Sequence, residues 1–215
     1  MFNKELTVKQ LDLPEYKQEL DSAVNYLNSL SKYSAVKTKF NKKEQWQAIS
    51  IRGYSDEVED ILKPGVLKTE GTDKGLRWTH LYEQSELLPI KEILCHIPAE
   101  FERVRVMRLK SGTKISKHTD KIDKSIKEGK LVRLHVPLKT GPKVNMTLWK
   151  GKTPHSYNLE KGKYYYVDVS KPHAVDNSED YDRLHLVIDC YMNPRLENLL
   201  KQAEEFDDIS SPIGF

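Results

Sequence analysis

The chain is poor in the features that mark the more specialised classes of protein. It has two cysteines in 215 residues, Cys95 and Cys190, with no CxxC and no ladder of spacings. A disulfide scaffold is therefore excluded, and both thiols read as reduced. Apolar runs last only a few residues, too short for a helix that spans a bilayer. Glycine and proline number ten each without a period, which excludes collagen. The amino end, Met1-Phe2-Asn3-Lys4-Glu5-Leu6, lacks a basic stretch followed by an apolar one, so no secretory signal is expected. Together with reduced thiols this points to a cytoplasmic location. Net charge is only +3, too small an excess to imply nucleic acid as a partner.

What remains is enough for a packed core. Three Trp, eleven Tyr and five Phe accompany 38% hydrophobic residues, in a length that suits one domain. Apolar residues at three- and four-residue steps predict a helix over 14–30, with Pro14 in its first turn. A second helix is expected over about 83–95, where Pro89 could divide it, and a third over 194–206, opened by Asn193-Pro194. Short β-branched and aromatic runs fill 102–110, 131–138, 144–149, 155–159, 163–169 and 183–191, with earlier strands at 46–53 and 76–81. Turn residues between them indicate antiparallel strands in a sandwich or barrel with helices outside. The expected division is a single domain in three parts. Residues 1–99 supply helices and outer strands, 100–192 the β core, and 193–215 a helix and tail.

Chemistry concentrates in a few residues. In His118-Thr119-Asp120 an imidazole and a carboxylate sit two residues apart, on one side of an extended chain, where both can reach one metal ion. His173 follows in Lys171-Pro172-His173-Ala174-Val175-Asp176, and Arg183 comes ten residues after it, entering the apolar run Leu184-His185-Leu186-Val187-Ile188. An arginine on the inner face of a sheet is costly unless it meets a buried anion. Two histidines and one carboxylate leave the other metal positions open, which suits non-haem Fe(II), and a planar guanidinium suits a carboxylate held bidentately. Arg133 and His135 alternate with Val132, Leu134 and Val136, so the two polar residues share a face. That face is either a pocket wall or ordinary solvated sheet. His118 and His173 could also be plain hydrogen-bonded histidines. His185 has an arginine ten residues on as well, but Arg195 falls where the last helix opens.

His118-x-Asp120, His173 and Arg183 in a β-rich chain resemble the Fe(II)/2-oxoglutarate-dependent oxygenases, and more closely the aspartyl/asparaginyl β-hydroxylase group with its small microbial cis-proline hydroxylase-like members. Arg105 to Asp120, Val132-Arg133-Leu134-His135-Val136-Pro137-Leu138 and Lys171 to Asn177 carry the likeness, over about 100–192. It implies a mainly β fold, a double-stranded β-helix (jelly-roll, cupin-like) core with flanking α-helices. It implies His118, Asp120 and His173 as Fe(II) ligands, Arg183 as partner of the 2-oxoglutarate C5 carboxylate, and Arg133 and His135 lining the co-substrate pocket. The implied reaction uses O₂ and hydroxylates a small-molecule or peptidyl substrate, releasing succinate and CO₂. The animal aspartyl hydroxylases lack the carboxylate ligand, so Asp120 leans toward the microbial small-molecule branch. The alternative is a cupin-like module that binds a metal or small ligand without oxidising anything; such a module has no need of an inward Arg183.

Between Arg108 and Arg133 nine basic residues face three acidic ones. This segment is either a solvated loop or a lid that attracts an anionic substrate, with Lys121, Lys124 and Lys127 on one side of it. Interleaved aromatics are lacking, so nucleic acid is not the expected partner.

Overall fold

The computed structural model describes residues 8–41, 43–64, 74–120 and 128–206. In chain order the elements are β1 (Val8–Leu11), α1 (Leu20–Ser29), β2 (Ser34–Ala35), β3 (Trp46–Gly53), β4 (Arg77–Trp78), α2 (Leu88–Cys95), β5 (Phe101–Leu109) and β6 (Thr113–His118). They continue with β7 (Leu131–Lys139), β8 (Val144–Lys150), β9 (Thr153–Tyr157), β10 (Tyr164–Val167), β11 (His173–Asn177), β12 (Arg183–Tyr191), α3 (Pro194–Gln202) and β13 (Glu204–Glu205).

The strands form two antiparallel sheets. The larger runs β13-β1-β10-β7-β12-β5-β3-β2, with β4 on β3, and the smaller runs β6-β11-β8-β9. From β5 onward the chain crosses between them: β5, β7, β10 and β12 belong to the large sheet, β6, β8, β9 and β11 to the small one. This is the double-stranded β-helix, and it takes in strands from the first hundred residues, since β1 pairs with β10 and β3 with β5.

Period-two alternation gives each face of the large sheet its own task. Leu184, Leu186, Ile188 and Cys190 of β12 point outward with Leu134, Val136 and Leu138 of β7 and Val104 and Val106 of β5. They pack under Leu20, Ala23, Val24 and Leu27 of α1, Ile90, Ile93 and Leu94 of α2, and Leu196 and Leu200 of α3. Burial of these side chains holds the sheet flat against its helices, at about 1.5–3 kcal/mol for each large one. A second cluster, including Leu109, Ile115, Met146, Leu148, Tyr165 and Val175, closes the space between the sheets. The opposite parity of β5, β7 and β12 is therefore free to be polar, facing inward.

Three local expectations shift. The first helix starts at Leu20, not near Pro14, because the Tyr16 N–H is engaged by the Gly162 carbonyl and the preceding chain runs extended across the β9–β10 turn. Gly162 has φ +76°, and a Cβ there would collide with the Tyr16 backbone. Pro89 opens α2 and does not divide it; short 3-10 turns, His80–Glu83 and Ser85–Leu87, precede it. The last helix ends at Gln202, and its end is fastened by the buried Lys9 amine, which donates to the carbonyls of Leu200 and Ala203.

Candidate metal centre and its cavity

β6 and β11 pair so that His118 stands opposite His173. Two residues past His118 the Asp120 N–H donates to the Val169 carbonyl, which bends the chain so that the carboxylate turns back toward both rings. Asp120 Oδ1 lies 3.9 Å from His118 Nε2 and 4.0 Å from His173 Nε2. One ligand atom from each of the three residues lies within 4.8 Å of the other two. Each imidazole uses Nδ1–H on a backbone carbonyl, His118 on Ser116 at 2.8 Å and His173 on Lys171 at 3.0 Å. That leaves both Nε2 lone pairs directed at Asp120, the tautomer a metal ligand requires. Burial lowers the His173 pKa, with Asp120 opposing, so its ring favours the neutral form. Two histidines and a carboxylate grouped on one side fit Fe(II) with positions left open.

The cluster opens on a cavity of 290 Å³, and all six residues singled out in the sequence (His118, Asp120, His173, Arg133, His135 and Arg183) line it. Arg183 is 5% exposed. It donates to His185 Nδ1 at 2.7 Å and has no carboxylate partner among the described residues. Burial lowers its pKa to about 9, so it remains cationic at neutral pH. Around it buried polar atoms lack partners: Arg183 Nε, His185 Nε2, and both ring nitrogens of His135. Burial, then the nearby Arg133 and Arg183 charges, push the His135 pKa well down and keep its ring neutral. Buried polar groups in a native protein are nearly always satisfied, so such a cluster marks a ligand's place.

Arg133 lines the cavity and also joins two carboxylates. Its Nη1 donates to Asp120 Oδ2, while Nε and Nη2 grip Asp189 at 2.6 and 3.2 Å. Asp189 is fully buried, and it also receives Arg105 at 2.9 Å and Arg103 at 3.0 Å. Burial alone would raise the Asp189 pKa; Arg133, Arg105 and Arg103 outweigh it and hold the carboxyl well below the usual range. Asp189 thus steadies Arg133, and Arg133 fixes one oxygen of Asp120 so that the other faces the histidines.

The sequence reasoning missed Asp189, Arg103 and the aromatic wall. Phe40 and Trp46 stand 5.4 and 5.8 Å from the His118 ring. Asp189 shares parity with Arg183 and His185, and Arg103 with Arg105, but parity within one strand does not tell that the two meet. Phe40 lies in a loop where no period exists. His185 points inward and braces Arg183, whereas Arg195 is exposed on α3. Trp149 lies under Lys117, and Tyr164 and Tyr165 are core; none lines the cavity. Lys121, Lys124 and Lys127 lie outside the described residues.

Residues 11–193 match the family profile of the aspartyl/asparaginyl β-hydroxylases. The chain belongs to that family. As an aspartyl/asparaginyl β-hydroxylase family member it is a 2-oxoglutarate-dependent dioxygenase. Several solved structures align with it at low sequence identity. A prolyl-4-hydroxylase from Pseudomonas putida aligns over 88% of this chain and 94% of its own, with 12% identity and a TM-score of 0.50. The non-haem α-ketoglutarate-dependent epimerase SnoN from nogalamycin biosynthesis aligns over 91% and 87%, with 12% identity and TM-score 0.49. A 2OG-Fe(II) family oxidoreductase from Burkholderia pseudomallei aligns over 79% and 76%, with 10% identity and TM-score 0.46. Among the described residues no helix is long and apolar enough to cross a membrane.

Proposed function

We propose that this family member hydroxylates an unactivated C–H bond of an amino acid, or of an aspartyl-, asparaginyl- or prolyl-type residue. His118, Asp120 and His173 would hold Fe(II), and Arg183 the far carboxylate of 2-oxoglutarate. The observation that carries the reading is Arg183, a buried cation without a carboxylate partner among the described residues, in the same cavity as a two-histidine, one-carboxylate cluster. When bound, iron and 2-oxoglutarate supply the oxidation: C–H, O₂ and 2-oxoglutarate become C–OH, succinate and CO₂.

The protein's own residues prepare that chemistry. Arg133 restrains Asp120 to a single oxygen toward the metal position. Arg183 offers its fork to a carboxylate, and neutral His135 adds a ring N–H to the same region without repelling the guanidinium. Met107, Ile115, Met146, Val175 and Val187 form apolar wall between these groups. A cupin-type binder that oxidises nothing would carry the same metal cluster but would have no use for Arg183. The test is anaerobic addition of Fe(II) and 2-oxoglutarate, expected to give a weak visible charge-transfer band, followed by a succinate-release screen over the amino acids and acidic peptides. Metal binding without the band would overturn the reading.

A further inference from the structure

Part of the wall around His118 comes from outside the strands that carry the metal cluster. The His118 side chain is only 8% exposed, and two of the rings against it, Phe40 and Trp46, belong to the β2–β3 hairpin. Trp46 also packs on two of the apolar clusters. Phe40 joins none of them among the described residues; it is half-buried and lines the cavity. Its ring is turned to the ligand histidine and the cavity, not to the core.

No sequence period directs Phe40 there. A side-chain amide does. Ala35 stands opposite Gln47, so Val36 comes opposite Trp46, and the Val36 N–H donates to the Trp46 carbonyl at 2.9 Å. In such an antiparallel pair the second bond runs from the Trp46 N–H to the Val36 carbonyl. The Asn41 amide is inserted into that position. Its Oδ1 accepts from the Trp46 N–H at 2.9 Å, and its Nδ2 donates to the carbonyls of Val36 at 2.9 Å and Trp46 at 2.6 Å. Both ends of the 36–46 loop thus close on one side chain. Within the loop the Asn41 N–H donates to the Thr38 carbonyl and the Glu44 N–H to the Asn41 carbonyl, each at 3.1 Å. Glu44 has a left-handed φ of +53°, a cost for a residue with a Cβ, which persists where the surroundings over-determine it. Phe40 immediately precedes the clasping residue, so the clasp sets where its ring lies.

We infer that Asn41 is a positioning residue: its amide fixes the 36–46 loop, and through it Phe40, as the wall that packs against the apolar part of the substrate beside the metal position. The inference deepens the proposed function and rests on it for the metal and the substrate. An amide suits the place because it turns an acceptor to one N–H and donors to two carbonyls at once. Asn41→Asp keeps the shape and the acceptor but sets an oxygen against both carbonyls.

Two measurements test it. The first needs no substrate: fluorine NMR of protein labelled with 4-fluorophenylalanine and loaded with Co(II) or Zn(II), the Phe40 resonance being the one lost in Phe40→Leu. That resonance should carry a Co(II)-induced shift in the wild type, and the shift should be lost in Asn41→Asp. The second is succinate release with the compound selected by the screen of amino acids and acidic peptides. Asn41→Asp should raise KM for that compound about tenfold, with KM for 2-oxoglutarate and metal affinity unchanged. Phe40→Ala should raise it as far, and the double variant no further, because the two residues act as one unit. Should Asn41→Asp not fold, Asn41→Ala carries the same expectations. An unmoved resonance, an unchanged KM, a loss shared equally by 2-oxoglutarate, or losses that add in the double variant would overturn the inference. If the wild type gives neither the charge-transfer band nor succinate with any compound, the proposed function fails instead, and the fluorine shift still decides whether Asn41 places Phe40.

Discussion

The two ends of the cavity are built from the same residue type and treat it in opposite ways. At one end Arg183 is buried with a neutral histidine and no acid among the described residues. At the other, Arg103, Arg105 and Arg133 converge on the fully buried Asp189. A buried guanidinium without a counter-ion is a cost that the folded protein carries until an anion arrives; a guanidinium on a buried carboxylate is part of the structure before any ligand does. The difference separates a group kept for binding from a group that also holds the architecture. It predicts that similar substitutions at the two ends will have unlike consequences.

The largest effect is expected at Asp189. Asp189→Asn leaves the buried Arg103 and Arg105 and the half-buried Arg133 without their shared charge, and breaking a buried ionic cluster from one side costs about 3–5 kcal/mol. Urea unfolding followed by tryptophan fluorescence should show this as a clear drop in midpoint with the slope retained. A loss below about 1 kcal/mol, the range of exposed ion pairs, would mean that water already screens the cluster.

Arg183→Ala should do the reverse. Removing a buried cation that lacks an acid partner should leave stability within about 1 kcal/mol of the wild type, or raise it, because the desolvation cost disappears with the charge. Binding should suffer instead. A carboxylate left unpaired in the cavity loses about 2–5 kcal/mol, so affinity for 2-oxoglutarate should fall roughly 30-fold or more while metal binding stays. Unchanged affinity together with a large fall in stability would show that Arg183 is a structural residue and that the two ends do not differ.

A smaller effect tests the link between the charged cluster and the metal position. Arg133→Lys keeps the charge but loses the fork that joins Asp189 to Asp120, so Asp120 is no longer held to one orientation. Residues that orient metal ligands typically contribute about 10–100-fold to metal affinity, and a Mn(II) or Fe(II) titration should show a loss in that range. An affinity equal to the wild type would break the chain of contacts from Asp189 to the metal.

How much of this comparison was legible in the sequence depends on what each residue's neighbours reveal. The ligand set His118, Asp120 and His173 and the inward Arg183 stand out because polar chemistry at fixed spacings interrupts apolar text. The large-sheet strands were legible for the same reason, with β5, β7 and β12 close to their observed bounds. β6 and β11, which carry the ligand histidines, were not. In Thr113–His118 the strand alternates with lysines that face out, and His173–Asn177 is five residues beginning one after a proline, so both resemble loops. Asp189 was hidden by its setting: a lone acid near the end of an apolar strand looks like the approach to solvent. Only pairing β12 against both β5 and β7 places Asp189 across from Arg103 and Arg133, and that register is a long-range property. β1 has the same character, since Val8–Leu11 is too short to declare itself until β10 and β13 flank it.

The smallest effect refines the comparison at the Arg183 end itself. His185 lies two residues along the same strand, and its Nδ1 accepts from Arg183 Nη2 at 2.7 Å. Burial, then the Arg183 charge, push its pKa well below the ordinary histidine value, so the lone pair persists at neutral pH. The ring therefore aims the guanidinium without neutralising it, which keeps the cation available to a dicarboxylate. His185→Phe would preserve much of the volume and remove the acceptor. A single hydrogen bond is worth about 1 kcal/mol net, so the 2-oxoglutarate dissociation constant should rise about fivefold, with metal affinity unmoved. His185→Asn separates aim from packing, because its side-chain oxygen can take the place of Nδ1 while the rest of the ring is lost. Recovery of affinity in the Asn variant, despite its smaller volume, is the expected result. If Phe binds 2-oxoglutarate as well as the wild type and Asn binds it worse, packing alone governs this end, and Arg183 needs no partner to present its charge.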